Sequence, residues 1–199
     1  MNILIAGAAG FIGTNLTLAL MKNPANHITI TDTDTSYFTN ETIIAANNVS
    51  CLALHTQTHN FENILENIDL VFHLVSTTNP SSSNNDIEAE LNENITFSTR
   101  LLEASVKHHV SKIIFISSGG TVYGNVACPI TENAPTNPIT AYGIQKLTIE
   151  KICHLYHCMH GIDYSILRLA NPYGPYQRPN GKLGALTTFT YKALHQETL

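Results

Sequence analysis

Tyr142 and Lys146 stand four positions apart in a stretch whose composition favours a helix. Residues at this spacing lie on one helix face, so both side chains can reach one bound molecule. A neutral tyrosine is a weak base, because its pKa is about 10. The neighbouring Lys146 ammonium favours the phenolate, and so does the helix N-terminus that Thr140 would cap. The pair predicts a tyrosine that works as an acid and a base.

Three glycines, Gly7, Gly10 and Gly13, follow a short apolar run at residues 3–6. A glycine-rich turn between a strand and a helix receives the pyrophosphate of a dinucleotide. Gly7 permits the tight turn, Gly10 lets the backbone approach the pyrophosphate, and Gly13 allows close packing of helix and strand. Together with the Tyr–Lys pair, this turn predicts a nicotinamide site with a tyrosine beside it.

Asp32 ends the second predicted strand, 19 residues after Gly13. A carboxylate at this point accepts hydrogen bonds from both hydroxyls of the adenosine ribose and repels a 2′-phosphate. Residues 33–38 contain no Arg or Lys that could bind such a phosphate. NAD is therefore predicted in preference to NADP, with Asp34 as the alternative contact.

Alternating strands and helices must position these groups. Apolar runs predict strands at residues 3–6, 27–31, 49–54, 69–75, 112–117 and 164–169, and helices are predicted at 11 to about 21, from about 87, at 140 to about 160 and at 184 to about 196. Residues 33–48 are polar and are predicted to be irregular. The alternation predicts an α/β fold, a Rossmann-type doubly wound parallel sheet in three layers, as one domain over residues 1–199.

The composition excludes several classes of protein. The 199 residues carry a net charge of -5 without a basic stripe, so nucleic acid is not a predicted partner. No apolar run is long enough for a membrane span, and the N-terminal apolar run is too short for a signal peptide. The cysteines show no disulfide framework, which favours reduced thiols and a cytoplasmic location.

A cluster of potential metal ligands occupies the end of the helix that contains Lys146. Its members are Cys153, His154, His157, Cys158 and His160. His154 and Cys158 are four positions apart, but the potential ligands fan around the helix, and no second ligand pair is evident. Structural or surface roles are therefore predicted, and no metal.

Several motifs together resemble one family. They are Gly7-x-x-Gly10-x-x-Gly13, Asp69-x-Val-Phe-His-Leu74, Asn94, Ser117-Ser-Gly-Gly-Thr-Val-Tyr-Gly124, Tyr142-x-x-x-Lys146 and Arg168-Leu-Ala-Asn-Pro-Tyr-Gly-Pro175. The chain resembles, over essentially its whole length, the extended short-chain dehydrogenase/reductases. Within them it is most similar to the NAD-dependent nucleotide-sugar epimerases and dehydratases, in particular the UDP-glucose 4-epimerase group.

The resemblance implies a role for each matching residue. Tyr142 would be the acid/base, Lys146 would bind the nicotinamide ribose and tune Tyr142, and Asn171 would contact a nucleotide-sugar, with a UDP-sugar favoured. The remaining residues would bind NAD: Gly7, Gly10, Phe11, Ile12 and Gly13 at the pyrophosphate, Asp32 at the adenosine ribose, Leu74 and Val75 along the channel, and Asn94 close to it.

The chain departs from the family pattern at the hydroxyl that usually assists the tyrosine. That position is Gly119, so either Ser118 or Thr121 supplies the hydroxyl or the assisting hydrogen bond is lost. A 4,6-dehydratase is disfavoured, because the acid and base of that subfamily would fall on Gly120 and Thr121. A reductase or decarboxylase of the same family stays open.

Two further departures concern the cofactor and the length. The acid that usually contacts adenine after the third strand is absent from residues 54–58. Family members also continue into a C-terminal lobe that closes over the sugar nucleotide, and this lobe is expected to be largely missing here. A non-catalytic NAD-binding fragment is therefore the second hypothesis, beside an epimerase that oxidises the sugar transiently at C4.

The helices from about Ile87 and Thr140 are expected to pair in a homodimer, as the resemblance implies. A buried face of the first helix is predicted from residues at helical spacing: Ile87, Leu91, Ile95, Ser98, Leu102 and Ser105. Leu101, Ile149 and Ile152 fall off the predicted core stripes, and apolar side chains on a solvent face would be costly if left uncovered. Packing of these residues inside one chain is the alternative.

Overall fold

Six parallel strands form one sheet in the computed structural model, which describes residues 1–55, 61–77, 83–179 and 184–198. The strands are β1 Asn2–Ala6, β2 His27–Asp32, β3 Val49–Ala53, β4 Leu70–His73, β5 Lys112–Ser118 and β6 Asp163–Leu169. Their order is β3-β2-β1-β4-β5-β6, and every neighbouring pair is parallel. The predicted Rossmann-type sheet is confirmed by this order.

In the described ranges, five α-helices accompany the sheet: α1 Phe11–Leu20, α2 Glu41–Ile44, α3 Ile87–Lys107, α4 Ala141–His160 and α5 Ala185–Leu194. The predicted cap of α4 is confirmed, because the Thr140 hydroxyl accepts a hydrogen bond from the Gly143 N–H at 3.1 Å. The same helix ends at Gly161, whose φ of 75° is the left-handed conformation that glycine adopts without strain.

Both faces of β1 are buried, which is why its residues form a continuous apolar run. Ile3 and Ile5 pack in a cluster with residues of α1 and α2, whereas Leu4 and Ala6 pack in a second cluster with residues of α3 and α4. Successive residues of a strand point to opposite faces, so the sheet is the middle of three layers.

Residues 33–48 are more regular than their polarity predicts. A 3₁₀ turn covers Thr35–Tyr37, and α2 follows. The Asp34 carboxylate accepts a hydrogen bond from the Ser36 N–H at 2.8 Å, and the Asn40 side chain accepts one from the Ile43 N–H at 3.2 Å. Short side-chain caps of this kind stabilise turns that apolar periodicity does not reveal.

Strand β4 is shorter than predicted and ends at His73. Leu74 still donates its N–H to the carbonyl of Ala6 at 2.9 Å, but the chain then leaves the sheet. Residues 74–77 instead line a cleft at the carboxyl ends of the strands. The apolar Leu74 and Val75 thus belong to a ligand cleft rather than to the sheet.

The buried face of α3 differs from the predicted one. The buried residues are Glu90, Asn94, Phe97, Ser98, Leu101, Leu102 and Ser105. Ile87 is 54% exposed, and Leu91 and Ile95 are only partly buried. Ser98, Leu102 and Ser105 lie on the buried face as predicted, but Glu90 and Asn94 lie there too, and an apolar-periodicity argument cannot place such polar residues inside.

The apolar residues that motivated a dimer are largely inside the chain. Leu101 and Ile149 are 0% and 1% exposed, and Ile152 is partly buried against the same core. The cause is the close packing of α3 against α4 within one chain. The prediction that Leu101 and Ile149 lie on solvent-exposed helix faces is therefore wrong, and the alternative, packing inside one chain, is confirmed for them.

Three other expectations concern disulfide bonds, metal sites and membrane spans. All four cysteines are free. Within residues 1–55, 61–77, 83–179 and 184–198, no group of three His, Cys, Asp or Glu side chains could hold a metal ion. Over the same ranges, no helix has both the length and the apolar character that a membrane span requires.

Candidate active site

The glycine turn lies where the strand order reverses, between β1 and its neighbours β2 and β4. Gly7 has a φ of 82°, and a Cβ there would lie 2.9 Å from the backbone nitrogen of Val75. A Cβ at Gly13 would lie 2.4 Å from the carbonyl oxygen of Ala8. Gly10 has no atom within 4 Å of its Cβ position, so this part of the turn is open to a ligand.

Helix α1 begins at Phe11 without a side-chain cap. Its N-cap is Gly10, which offers no acceptor to the first N–H groups. These donors and the positive end of the helix dipole therefore meet the cleft, which is the usual arrangement for a bound phosphate. Phe11 and Ile12 also line a second cavity on the other side of the turn.

Asp32 is fixed by two backbone donors. Its Oδ2 accepts a hydrogen bond from the Ala9 N–H at 3.0 Å, and its Oδ1 accepts one from the Thr33 N–H at 2.9 Å. Each carboxylate oxygen retains a lone pair that can accept from a hydroxyl in the cleft. Asp34, the alternative contact, is turned to the Ser36 N–H instead.

A cleft of about 430 Å³ runs along the strand ends from Asp32 to Thr77. Gly7, Gly10, Leu74 and Val75 line it. Asn94 does not line this cleft but reaches it through Thr77. The Asn94 side chain accepts a hydrogen bond from the Thr77 N–H at 3.1 Å and donates one to the Thr77 hydroxyl at 2.8 Å.

Tyr142 lines the second cavity, which measures about 680 Å³. Lys146 lies behind it and is 2% exposed. The Lys146 ammonium donates a hydrogen bond to the carbonyl of Ile116 at 3.0 Å. Its Nζ is 5.5 Å from the centroid of the Tyr142 ring and 4.9 Å from that of Phe115. The predicted Tyr–Lys pair thus lies on one helix face, at the carboxyl end of β5.

The electrostatics of this pair differ from the prediction. Burial raises the pKa of Tyr142, and the negative charge of Glu90 raises it further. Burial lowers the pKa of Lys146 to about 8, and Glu90 opposes this shift. The expectation that its surroundings favour the phenolate is therefore wrong for this structure. The main reason is the burial of Tyr142, and Glu90, a buried acid that the predicted core face of α3 does not include, adds to it.

Ser118, Thr121 and Asn171 line the same cavity as Tyr142. The Ser118 hydroxyl accepts a hydrogen bond from the Thr121 N–H at 3.2 Å. The Thr121 Oγ1 is inaccessible to solvent and has no hydrogen-bond partner among the residues that the structure describes. Asn171 lies on the segment after β6 and is exposed.

A buried polar network beside this cavity was missed by the sequence analysis. Glu150 accepts two hydrogen bonds from the Arg168 guanidinium, at 3.0 and 2.6 Å, and one from the Ser117 hydroxyl at 2.5 Å. Arg168 also donates to the Tyr123 hydroxyl at 2.8 Å. A signal was available, because Glu150 follows Lys146 by four positions and so continues the face of α4 that carries Lys146.

The sequence and the fold are both shared with known proteins. The profile of the family described as NAD dependent epimerase/dehydratase matches residues 3–199. A UDP-glucose 4-epimerase of Mycolicibacterium smegmatis is 30% identical over 213 residues, with 100% of this chain and 64% of the relative covered. A dTDP-4-dehydro-6-deoxyglucose reductase of Escherichia coli is 31% identical over 196 residues, with 96% of this chain and 62% of the relative covered.

Among solved structures, the UDP-glucuronic acid 4-epimerase of Bacillus cereus, in complex with UDP-glucuronic acid and NAD, superposes with a TM-score of 0.89. It is 31% identical, and the alignment covers 100% of this chain and 65% of that one. The chain therefore spans slightly less than two thirds of the length of these relatives. With its Rossmann sheet, glycine turn and Tyr–Lys pair, the chain belongs to the NAD dependent epimerase/dehydratase family.

Proposed function

We propose that the gene product containing this chain is an NAD-dependent nucleotide-sugar 4-epimerase that acts on a UDP-sugar. One observation carries this proposal: the glycine turn lines one cavity, Phe11 and Ile12 at the start of α1 line a second, and Tyr142 lines that second cavity with Lys146 behind it. The first cavity, which is the cleft of about 430 Å³ along the strand ends, contains the Asp32 carboxylate, and this carboxylate can accept hydrogen bonds from the two hydroxyls of a ribose. The second has hydroxyl and amide side chains suited to a sugar, from Ser118 and Asn171.

The residues of the first cavity fit NAD. The uncapped N-terminus of α1 would hold the pyrophosphate, and Asp32 would accept from the adenosine ribose. When bound, NAD supplies a reversible hydride acceptor next to the sugar. The remaining chemistry is a proton transfer at the sugar hydroxyl, for which the chain itself must provide the group.

Tyr142 is the proposed acid/base. Its phenolate would take the proton of the C4 hydroxyl as the sugar is oxidised, and the phenol would return it after the 4-keto sugar has turned over. Lys146 would bind the nicotinamide ribose, and its positive charge would offset part of the rise in the pKa of Tyr142 that burial and Glu90 cause. Because the pKa of Lys146 is about 8, the ammonium form predominates at neutral pH.

Ser118 is the hydroxyl that we assign to assist Tyr142. Its Oγ is held by the Thr121 N–H, so its own proton stays available for the sugar oxygen. The Thr121 Oγ1 is inaccessible to solvent and therefore cannot contact a sugar in the same conformation. The Ser/Thr position that the family usually uses is Gly119, which has no side chain to offer.

A reductase is the second candidate function, because the Escherichia coli relative with that name is as similar as the epimerases. A 4,6-dehydratase is less well supported, since Gly120 and Thr121 cannot move a proton at neutral pH. A fragment that binds NAD without turnover is the non-enzymatic alternative.

Incubation of the gene product with UDP-glucose and NAD distinguishes these functions. Epimerisation yields UDP-galactose without net consumption of cofactor, as measured by proton NMR of the sugar. The assay is repeated with UDP-glucuronic acid and UDP-N-acetylglucosamine, because the sugar is not fixed by the site. Net oxidation of a reduced cofactor with a 4-keto sugar would identify a reductase, and binding of NAD without any sugar conversion would identify the non-enzymatic fragment.

A homodimer through α3 and α4, in the cytoplasm, completes the proposal. The support is no longer Leu101 and Ile149 but other apolar side chains that these helices expose. They are Ile87, Ile144, Leu155 and Met159, at 54%, 43%, 50% and 63%. Light scattering at high protein concentration tests this arrangement, and a strictly monomeric mass would contradict it.

A further inference from the structure

Helix α3 carries a buried polar stripe along the face that it turns to the core. Glu90, Asn94 and Ser98 follow one another at spacings of four residues and are 2%, 2% and 0% exposed. The Asn94 side chain donates to the Glu90 carbonyl at 2.9 Å, and the Ser98 hydroxyl donates to the Asn94 carbonyl at 2.7 Å. The stripe therefore forms a continuous polar line, and it begins with a carboxylic acid.

Helix α4 carries a second stripe of the same period, and the two helices pack against each other. Its members are Tyr142, Lys146 and Glu150, four positions apart. Lys146 is 2% exposed and Glu150 is 7% exposed. Among the described residues, the interior on this side of the sheet thus contains one buried ammonium and two buried carboxyl groups, and a charge at such a depth is costly unless it has a partner.

The partner of Glu150 is already identified. Its two carboxylate oxygens accept hydrogen bonds from Arg168, and Ser117 donates a third. The Lys146 ammonium contacts only neutral groups at short range within the described part of the chain, namely the Ile116 carbonyl and two aromatic rings. Its positive charge needs compensation from another buried acid, and Glu90 is the one that remains.

We infer that the buried Glu90 carboxylate is the counter-charge of the Lys146 ammonium and that Glu90 is thereby a positioning residue for the Tyr142–Lys146 pair. The catalytic part of this inference rests on the proposed function, whereas the charge pairing does not. Burial alone would favour the neutral amine of Lys146. The Glu90 carboxylate stabilises the ammonium form and so keeps a positive charge beside the Tyr142 phenol.

The other groups that face Lys146 cannot take this role. His73 of β4 is wholly buried, and burial together with the Lys146 charge lowers its pKa to about 3, so it is neutral. Phe115 of β5 offers a ring face, and Tyr142 of the same helix carries a neutral phenol whose pKa is raised. Glu93 of α3 is only partly buried, and its charge raises the pKa of Glu90.

The pKa shifts have the signs that such a pair requires. Glu90 raises the pKa of Lys146, which burial alone would lower further, and Lys146 lowers the pKa of Glu90, which burial raises. Removal of the Glu90 charge should therefore lower the midpoint at which Lys146 loses its proton. Removal of the Glu90 charge should also lower the pKa of Tyr142, because that negative charge raises it.

The test is a titration of the 199-residue chain labelled with ¹³Cε-lysine, followed by NMR. The midpoint of Lys146 is about 8, below that of an ordinary lysine, which separates its signal from the others. Glu90→Gln should lower this midpoint by about one to two pH units. Glu90→Asp, which retains the charge, should keep it near the parent value. Glu88→Gln removes an exposed acid from the first turn of the same helix and should leave it unchanged.

The inference is overturned if Glu90→Gln leaves the Lys146 midpoint where it was, or if Glu88→Gln lowers it equally. Should Glu90→Gln unfold, chemical denaturation of Lys146→Met and of the double variant replaces the titration. The double variant, Glu90→Gln with Lys146→Met, should be the more stable of the two, because it no longer buries a carboxylate whose counter-charge has been removed, and the reverse order would contradict the pairing. Neither measurement needs turnover, so a failed epimerase assay would leave this result intact.

Discussion

A Cβ atom added at Gly119 would lie 2.8 Å from the carbonyl oxygen of Arg168. The Gly119 N–H also donates to the Leu169 carbonyl at 2.6 Å, so the end of β5 is bonded tightly to β6. The site has therefore not simply lost the serine or threonine that the family resemblance leads one to expect. Its backbone occupies the space that such a side chain would need. Gly120, the next residue, has no atom within 4 Å of its Cβ position.

Gly119→Ala and Gly120→Ala should consequently differ in stability. The first forces a methyl group against backbone that cannot move alone, and we expect a loss of about 1–3 kcal/mol in the free energy of unfolding. The second adds a methyl group to open space and should change stability by less than about 1 kcal/mol. Urea denaturation of both variants checks this, and equal losses would show that the contact with Arg168 does not constrain Gly119.

Ser118→Ala should reduce turnover of a nucleotide-sugar far more than Thr121→Val. Loss of a donor to the reacting oxygen typically lowers kcat by about 10²–10³-fold. Thr121→Val removes a hydroxyl that is inaccessible to solvent and has no hydrogen-bond partner among the described residues, so kcat should change little. Steady-state kinetics of both variants decide the assignment. A larger loss in Thr121→Val would transfer the assisting role to Thr121.

The framework of the fold could be predicted from the sequence, because buried parallel strands are short apolar runs and glycine turns have a fixed spacing. The start of helix α4 was predicted because Thr140 is a strong cap, and the structure shows that cap. Tyr142 and Lys146 then follow on one face by spacing alone. From the sequence, either Asp32 or Asp34 could contact the adenosine ribose, and the structure shows that Asp34 caps a turn instead.

The interior acids could not be predicted, because hydrophobic periodicity assigns charged residues to the surface. Glu150 is ion-paired with Arg168, and Glu90 lies within electrostatic reach of Lys146, across the packed elements. That proximity depends on tertiary packing of α3, α4 and β6. The same limit explains why Ile87 was predicted on the buried face of α3 and Leu101 outside it. Polar residues occupy part of the buried face, and this shifts the face around the helix. Three of the residues in the predicted adenine segment, 56–58, lie outside the described residues.

His73 should make the protein sensitive to acid. Its Nε2 is 2.7 Å from the Ser98 Oγ, whose own proton goes to the Asn94 carbonyl, so Nε2 donates and the buried Nδ1 carries no proton. The pKa of His73 is about 3 in the folded chain, against about 6.5 when unfolded. As the pH falls, His73 is therefore protonated in the unfolded state before it is protonated in the folded state. The stability contribution is complete above pH 6.5 and is lost as the pH falls towards 3.

His73→Leu removes this titration, so its stability should depend less on pH than that of the parent. Between pH 8 and pH 5 the parent should lose about 2 kcal/mol that the variant does not lose. Urea denaturation at both pH values gives the two differences. Identical pH dependence in the two proteins would mean that His73 is not buried in its neutral form.

NAD should bind more tightly than NADP, and Asp32 should be the reason. Its carboxylate is held in place by Ala9 and Thr33 and would repel a 2′-phosphate in the same cleft. Calorimetry should show that Asp32→Ala weakens NAD binding and narrows the difference between the two cofactors. Asp34→Ala is the matched control, since it removes an exposed acid nearby and should leave the preference intact. Equal affinity of the parent for NAD and NADP would refute the role of Asp32.

The most direct test of the central claim is the C4 epimerisation of a UDP-sugar by the gene product and by its Tyr142→Phe variant, measured beside NAD affinity. The phenol is the proposed acid/base, whereas the pyrophosphate and ribose contacts lie on α1 and β2. We therefore predict loss of epimerisation, by at least about 10²-fold, with NAD still bound. The 199-residue chain alone should show little turnover. Near-normal epimerisation by Tyr142→Phe would contradict the account.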